Sequence, residues 1–495
     1  MTSPQTQQIT PAGVDRVRAA ARAAVHDQHL PGLAVGVVAG DDLVLAEGFG
    51  FSDVESHRPQ APALRQRIGS ITKTMVGLCA MALVDEGRLS LDDRVVEKLP
   101  DMTFNGNAGS MTLRHILTHT SGIGEAPLPE QVRDLEPTLW SDSPDIPGVP
   151  EAYPDGITVE VAPGTKWAYA NHAFVLLGEI VAREEGAPIE EVLRRRVFEP
   201  LGMHDTDCLD QPHATLTTGY HRPPTQEAID LAKATGSRVP EAGGETVDGH
   251  NVRGRYQYVR GRAAGGVQSN IGDMARYASA LLRQGKGIVR PETFDTMLAP
   301  QWCPDERLMS IGLAFFREPR FGRRTFGHGG GVGGGWNTYL TVLPDDSLAL
   351  LTHLNLTFGD FAEVHGRLLA ALLDAEQPPP PELAVAPAVL ANAPGVYEAT
   401  TPGPLTNLRI ITSTGRIQIS ARDGGLVLHA RRGAWKEGVR MRPADPNDSG
   451  LFLLESGTVE PQHVALTLGA SGEVTGLRFN RLVEMVPASG VGLWA

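Results

Sequence analysis

The sequence predicts an α+β fold, an α/β sandwich in which one antiparallel sheet is flanked by helices and carries a helical subdomain. A small all-β, barrel-like domain follows it. Three observations predict this. Strand-like runs near the start of the 495-residue chain and around residue 350 enclose a long, largely helical middle. Glu376-Gln377-Pro378-Pro379-Pro380-Pro381 then breaks the chain, since a proline run continues neither a helix nor a central strand. Beyond it the texture changes to short alternating stretches separated by turn residues. The expected units are a first domain over 1–375, a Pro-rich linker over 376–386 and a β domain over 387–495, a division in keeping with the length.

Taken in order, Val14 to His26 repeats apolar residues at helical spacing. Leu33–Ala39 and Leu43–Phe49 read as strands, and Gly40-Asp41-Asp42 joins them as a hairpin. Met75 to Val84 is rich in helix formers and stops at Gly87. Phe174 to Val181 is a second helical run. Trp336–Leu343 and Leu348–Leu354 read as strands, and Phe361–Leu373 as a helix that closes the domain. Two segments interrupt the pattern. Glu125 to Val161 holds many prolines and acidic residues, and Arg222 to Gly254 is polar and weakly patterned, so both read as loops at a cleft edge. After the linker come Leu408–Thr412, Ile417–Ser420, Leu426–His429, Leu451–Glu455, His463–Leu468 and Leu477–Phe479, with turns at Asp423-Gly424-Gly425 and Ser471-Gly472. About eight strands over a hundred residues make a small barrel or sandwich.

The chemistry starts at Ser70-Ile71-Thr72-Lys73, the only place where a lysine follows a serine by three. At the first turn of the Met75–Val84 helix these side chains share a face. A serine hydroxyl is a poor nucleophile until a neighbouring base takes its proton, and a desolvated lysine can be that base. Tyr169 and Asn171, two apart where a loop enters a helix, can both face a cleft. The phenol can relay a proton and the carboxamide can hold a substrate carbonyl. Gly327-His328-Gly329-Gly330-Gly331 offers bare backbone whose N–H groups can hold an oxyanion.

Together Ser70-x-x-Lys73, Tyr169-x-Asn171 and His328-x-Gly330 resemble the serine β-lactamase and penicillin-binding superfamily in its class C-like branch. That branch also holds D-alanyl-D-alanine carboxypeptidases, D-aminopeptidases and β-lactamase-like esterases. Leu89-Ser90-Leu91-Asp92-Asp93, Leu117-Thr118-His119-Thr120-Ser121-Gly122-Ile123, Gly265-Gly266-Val267 with Asp273-Met274-Ala275, and the strand ending at Leu354-Asn355 are similar to the same family, so the resemblance spans about residues 10–375. It implies a β-lactamase/transpeptidase-like fold and an acyl-enzyme on Ser70, with Lys73 and Tyr169 sharing proton transfer. It further implies an oxyanion site at the Ser70 and Gly331 backbone N–H groups, Asn171, His328 and Gly330 around the substrate, and no cofactor. Gly395-Val396-Tyr397 is similar to the start of the lipocalin-like β-domain that follows many members. One departure matters. Where the β-lactamases carry Lys-Thr-Gly, this chain has His328-Gly329-Gly330, and a histidine is mostly neutral at pH 7. That disfavours efficient β-lactam hydrolysis and favours D-aminopeptidase, D-peptidase or esterase chemistry. A class C-like β-lactamase and a non-catalytic penicillin-binding-like protein are the alternatives.

Other classes are weaker. A net charge of −14 argues against nucleic acid or an anionic membrane as partner and leaves a small molecule or short peptide as substrate. Cys79, Cys208 and Cys303 are odd in number and far apart, so they read as buried or free thiols and not as a disulfide frame or a metal site. No segment reaches 18 apolar residues and the first residues are polar, which reads as a cytoplasmic protein and weakens the carboxypeptidase reading. His115 and His119 stand four apart without the glutamate or third ligand of a metal site, so a structural role under the cleft is expected. The glycines at 329–334 match a dinucleotide fingerprint only formally, because a strand follows them and not a helix. A lipase-like reading of His328-Gly329-Gly330-Gly331 lacks a Gly-x-Ser-x-Gly turn. The oligomeric state is left open by the sequence.

Overall fold

Apolar spacing in α1 (Pro11–Asp27) puts Val14, Val17, Ala21 and Ala24 on one buried stripe. The computed structural model to which it belongs describes residues 11–124, 139–209, 211–226, 229, 245–357, 361–375, 382–400, 416–430, 435–459, 462–479 and 483–488. After α1 come β1 (Gly32–Ala39), β2 (Asp42–Asp53) and β3 (Arg58–Pro59). Gly40, at φ +58°, supplies the left-handed step of the β1–β2 hairpin. The helical middle contains α2 (Thr72–Asp85), α3 (Asn171–Glu185) and α4 (Ile271–Leu282). The chain returns to the sheet through β4 (Ser310–Ile311), β5 (Phe316–Arg320), β6 (Arg323–Val332), β7 (Trp336–Leu343) and β8 (Leu348–Leu354), then closes with α5 (Phe361–Leu373).

These eight strands make one sheet in the order β4-β5-β6-β7-β8-β1-β2-β3. Every neighbouring pair is antiparallel, and the β1–β8 pairing joins the two ends of the domain through Leu33 opposite Leu354 and Val37 opposite Leu350. Side chains alternate across a strand, so β1 serves two cores. Leu33, Val35 and Val37 pack with α1 and α5, whereas Ala34 and Val38 join the core around α2 and α4. Helix α2 is buried all round from Thr72 to Leu83, which is why its sequence is apolar on every face. It is the central post of the domain.

The second unit is a closed antiparallel barrel of eight strands. They are β9 (Gly395–Ala399), β10 (Arg416–Arg422), β11 (Gly425–Ala430), β12 (Val439–Asp445), β13 (Asp448–Leu454), β14 (Gln462–Leu468), β15 (Val474–Phe479) and β16 (Val483–Pro487). Tyr397 opposite Pro487 closes the ring, and Ile417, Leu428, Phe452 and Leu477 help fill it. The sequence reading did not name β12 or β16. Pro443 and three charged residues mask the alternation of β12, and the ladder shifts register between Pro443 and Asp445, where a proline is tolerated. The expected strand Leu408–Thr412 and the proline run at 376–381 lie outside the described residues, as do parts of both expected cleft-edge loops (125–138 and 230–244). The barrel meets the first unit through Lys166, whose Nζ donates to Thr400 Oγ1 at 2.9 Å and Glu484 Oε2 at 3.1 Å, and through Arg307 on Asp448 at 3.0 Å. Among the described residues no helix is long and apolar enough to cross a membrane.

Candidate active site

Ser70 lies at the first turn of a continuous helical run, and that turn, Gly69–Ile71, is 3-10 in form and feeds α2. The reason is Gly69, which holds φ +53° and could carry no side chain, because a Cβ would lie 2.8 Å from the Gly331 nitrogen. The turn is thereby pressed against β6. Thr338 on β7 pins it further, its hydroxyl donating to the Ile68 carbonyl at 2.8 Å. Ser70 remains partly exposed, while Lys73, one turn on, is fully buried.

The Lys73 ammonium donates to Ser70 Oγ at 2.9 Å and to the Ala264 carbonyl at 2.6 Å. A strongly polar head in an apolar helix core needs such partners. It also lies 5.1 Å from the centre of the Tyr169 ring and 5.8 Å from that of Phe174. Tyr169 stands in the extended approach to α3, and Asn171 is the first residue of that helix; both are half-buried. The Tyr169 ring stacks on His119 at 4.3 Å and stands 6.1 Å from the ring of His328. Gly331 is exposed beside the Ser70 turn. Ser70, Lys73, Tyr169, His328, Gly330 and Gly331 therefore meet at one place, with Asn171 at the adjoining helix start.

His328 lies within β6. Its ring is 4% exposed and Nδ1 contacts the Gly329 carbonyl at 2.5 Å. A carbonyl only accepts, so Nδ1 carries the proton and Nε2 is a bare acceptor, buried with no hydrogen-bond partner among the described residues. Burial, and then the Lys73 charge, push His328 down to about 3. It is neutral at pH 7.

A β-lactamase family model matches residues 17–375, and these residues hold the whole constellation. The chain belongs to the β-lactamase family. Esterase EstB of Burkholderia gladioli is 29% identical over 205 residues, 40% of this chain and 52% of that protein. Protein flp of Staphylococcus aureus (strain NCTC 8325 / PS 47) is 29% identical over 180 residues, 36% of this chain and 35% of that one. The chain thus matches about a third to a half of the length of these curated relatives. Among solved structures, a D-amino acid amidase from Ochrobactrum anthropi SV3 superposes with a TM-score of 0.61 at 22% identity, covering 73% of this chain and 99% of that one. The octameric penicillin-binding protein homologue from Pyrococcus abyssi gives 0.59 at 22% identity over 95% of this chain and 99% of that one. These structural likenesses show the fold.

The remaining β-lactamase-like segments now have places. Asp273, in α4, accepts from Thr206 at 2.8 Å, and Asn355 donates to the Thr218 carbonyl at 3.0 Å, so both tie separate segments of the chain together. His115 accepts the Thr112 N–H on Nδ1 as a helix cap, and His119 accepts the Ala170 N–H. Both rings serve backbone. Two participants were not singled out from sequence: the Ala264 carbonyl, and Phe316, whose ring lies 4.9 Å from that of His328. A main-chain oxygen leaves no residue signature, and Phe316 is an ordinary strand aromatic until the sheet is assembled.

Two predictions arise here. A Cβ on Gly330 would collide with the Ile68 carbonyl, whereas one on Gly331 meets only Asn337 Oδ1 at 3.2 Å. Gly330→Ala should therefore displace the Ser70 turn, losing about a hundredfold in rate and about 1–3 kcal/mol of stability, while Gly331→Ala keeps its melting temperature. Equal melting points for the two variants would show that β6 does not press on the turn. The second concerns acid. His119, His328, His353 and His365 are all buried, and burial holds each below the usual histidine value, His328 and His353 at about 3. A histidine whose folded pKa is depressed stabilises the fold above its unfolded value of about 6.5, and that stability drains as pH falls toward 3. Melting temperatures from pH 8 to pH 4 should start to fall near pH 6; a flat curve to pH 5 would contradict it.

Proposed function

We propose that this β-lactamase-family protein is a serine hydrolase that cleaves amide or ester bonds through an acyl-enzyme on Ser70, acting as a D-aminopeptidase, D-peptidase or esterase. The observation that carries the reading is the 2.9 Å contact between Nζ of the buried Lys73 and Oγ of the partly exposed Ser70 at the start of α2. In the proposed sequence Lys73 acts in its neutral amine form: Ser70 Oγ attacks the substrate carbonyl carbon and its proton passes to the lone pair of Lys73 Nζ. The carbonyl oxygen becomes an oxyanion facing the Ser70 and Gly331 N–H groups. The C–N or C–O bond then breaks, and Tyr169 hands the leaving amine or alcohol its proton. Water attacks the acyl-enzyme by the reverse route and frees Ser70. Asn171 orients the substrate carbonyl side. No step calls for a metal or an organic cofactor.

Substrate choice turns on His328. A neutral imidazole with its one N–H already committed to Gly329 offers no fixed cation for a substrate carboxylate. Small substrates without a free C-terminal carboxylate are therefore the better fit. A panel of D-aminoacyl anilides, p-nitrophenyl esters and nitrocefin tests this. Turnover of an anilide or ester with slow or absent nitrocefin hydrolysis is the expected result. Efficient cephalosporin turnover would make β-lactamase the better name, and no turnover with no acylation of Ser70 would make the protein a binder.

A further inference from the structure

His119 touches the catalytic cluster without belonging to the proposed chemistry. It comes from the segment Leu117–Ile123, close to the catalytic cleft, and is 1% exposed. Its main chain takes the left-handed conformation at φ +55°, which an ordinary side chain rarely adopts. In that conformation it reaches the Tyr169 segment twice. The His119 carbonyl accepts the N–H of Ala168 at 2.8 Å, and Nδ1 accepts the N–H of Ala170 at 3.1 Å. Those are the residues immediately before and after Tyr169. Between the two bonds the imidazole lies against the phenol ring, 4.3 Å between centres and 27° from parallel. Phe174 at 5.1 Å and Trp167 at 6.2 Å hold the imidazole from other sides.

We infer that His119 is a positioning residue, one that clamps the backbone on both sides of Tyr169 and so fixes where the phenol stands relative to Ser70 and Lys73. The clamp works only with a neutral ring, since Nδ1 must keep its lone pair for Ala170. The site enforces that state: burial first, then the Lys73 charge, hold His119 well below the usual histidine value. A histidine suits the task because its Nδ1 is an acceptor close to the main chain and its flat ring stacks on the phenol. The role rests on the proposed part of Tyr169 in proton transfer, and the experiment separates the two.

His119→Leu keeps bulk but removes the acceptor. His119→Asn keeps an acceptor oxygen near the position of Nδ1, and asparagine tolerates the left-handed backbone. The full-length protein and these variants, each with and without Tyr169→Phe, are assayed for kcat and KM on a p-nitrophenyl ester, for Ser70 labelling by a fluorophosphonate, and for melting temperature. His119→Leu should lower kcat about ten- to a hundredfold with KM little changed, as expected when a reacting group is misplaced. His119→Asn should recover most of that loss. Adding Tyr169→Phe to His119→Leu should cost little beyond Tyr169→Phe alone, because both act through one phenol. Losses that multiply, or an asparagine variant as poor as the leucine one at equal melting temperature, would overturn the clamp. If Tyr169→Phe itself leaves kcat unchanged while His119→Leu lowers it, the proton role of Tyr169 fails and the clamp fails with it. If Tyr169→Phe lowers kcat and His119→Leu does not, only the clamp fails.

Discussion

Ser70→Ala should abolish turnover and leave the protein folded. The serine is partly exposed in a short turn whose shape is set by Gly69 and by the Thr338 bond to Ile68, neither of which uses the hydroxyl. Removing Oγ takes away one hydrogen bond from Lys73, which keeps the Ala264 carbonyl. The melting temperature should therefore move by the equivalent of about 1 kcal/mol or less. Activity is different in kind, because in the proposed mechanism Ser70 Oγ is the group that forms the acyl-enzyme. Less than about one part in a thousand of the ester rate should survive, with no fluorophosphonate label on the protein. Residual activity above that level would show that another residue attacks.

How much of this was legible beforehand depended on how local each signal was. The Ser70–Lys73 pair was readable because three residues of helix bring the two heads together whatever the rest of the chain does. Tyr169, Asn171 and His328 were readable as motifs, but nothing in their spacing along the chain shows that Tyr169 comes within 6.1 Å of the His328 ring. That proximity follows from α3 packing against α2 and β6 packing against the Ser70 turn at its start. The strands β1, β2, β7 and β8 were readable from period-two patterning and a hairpin turn, whereas β12 was hidden by Pro443. His119 shows the limit most clearly. A structural role for it was legible, but its two bonds to the Tyr169 segment depend on a left-handed backbone step and on residues about fifty positions away. Ala264, 191 residues from Lys73, contributes only a carbonyl, and any residue has one.

Lys73→Arg should be almost as damaging as Lys73→Ala, although it keeps the positive charge. The ammonium occupies a closed site between Ser70 Oγ and the Ala264 carbonyl, within α2, where every neighbour from Thr72 to Leu83 is buried. A guanidinium is larger, and overpacking such a site typically costs about 1–3 kcal/mol. More decisively, an arginine stays protonated at every accessible pH and can take no proton from the serine. Lys73→Ala fails for the opposite reason: it leaves the Ala264 carbonyl without this donor and opens a cavity beside Phe174. Lys73→Met, which fills the space with neither charge nor base, separates these effects. If proton transfer is what matters, the arginine, alanine and methionine variants should all fall by about a thousandfold or more in kcat on the same ester, while methionine alone keeps a near-native melting temperature. If instead Lys73 mattered only as a cation beside the hydroxyl, the arginine variant would keep most of its rate while methionine lost it. That outcome would leave Tyr169 as the sole base and would break the pairing of Ser70 with Lys73 on which the mechanism is built.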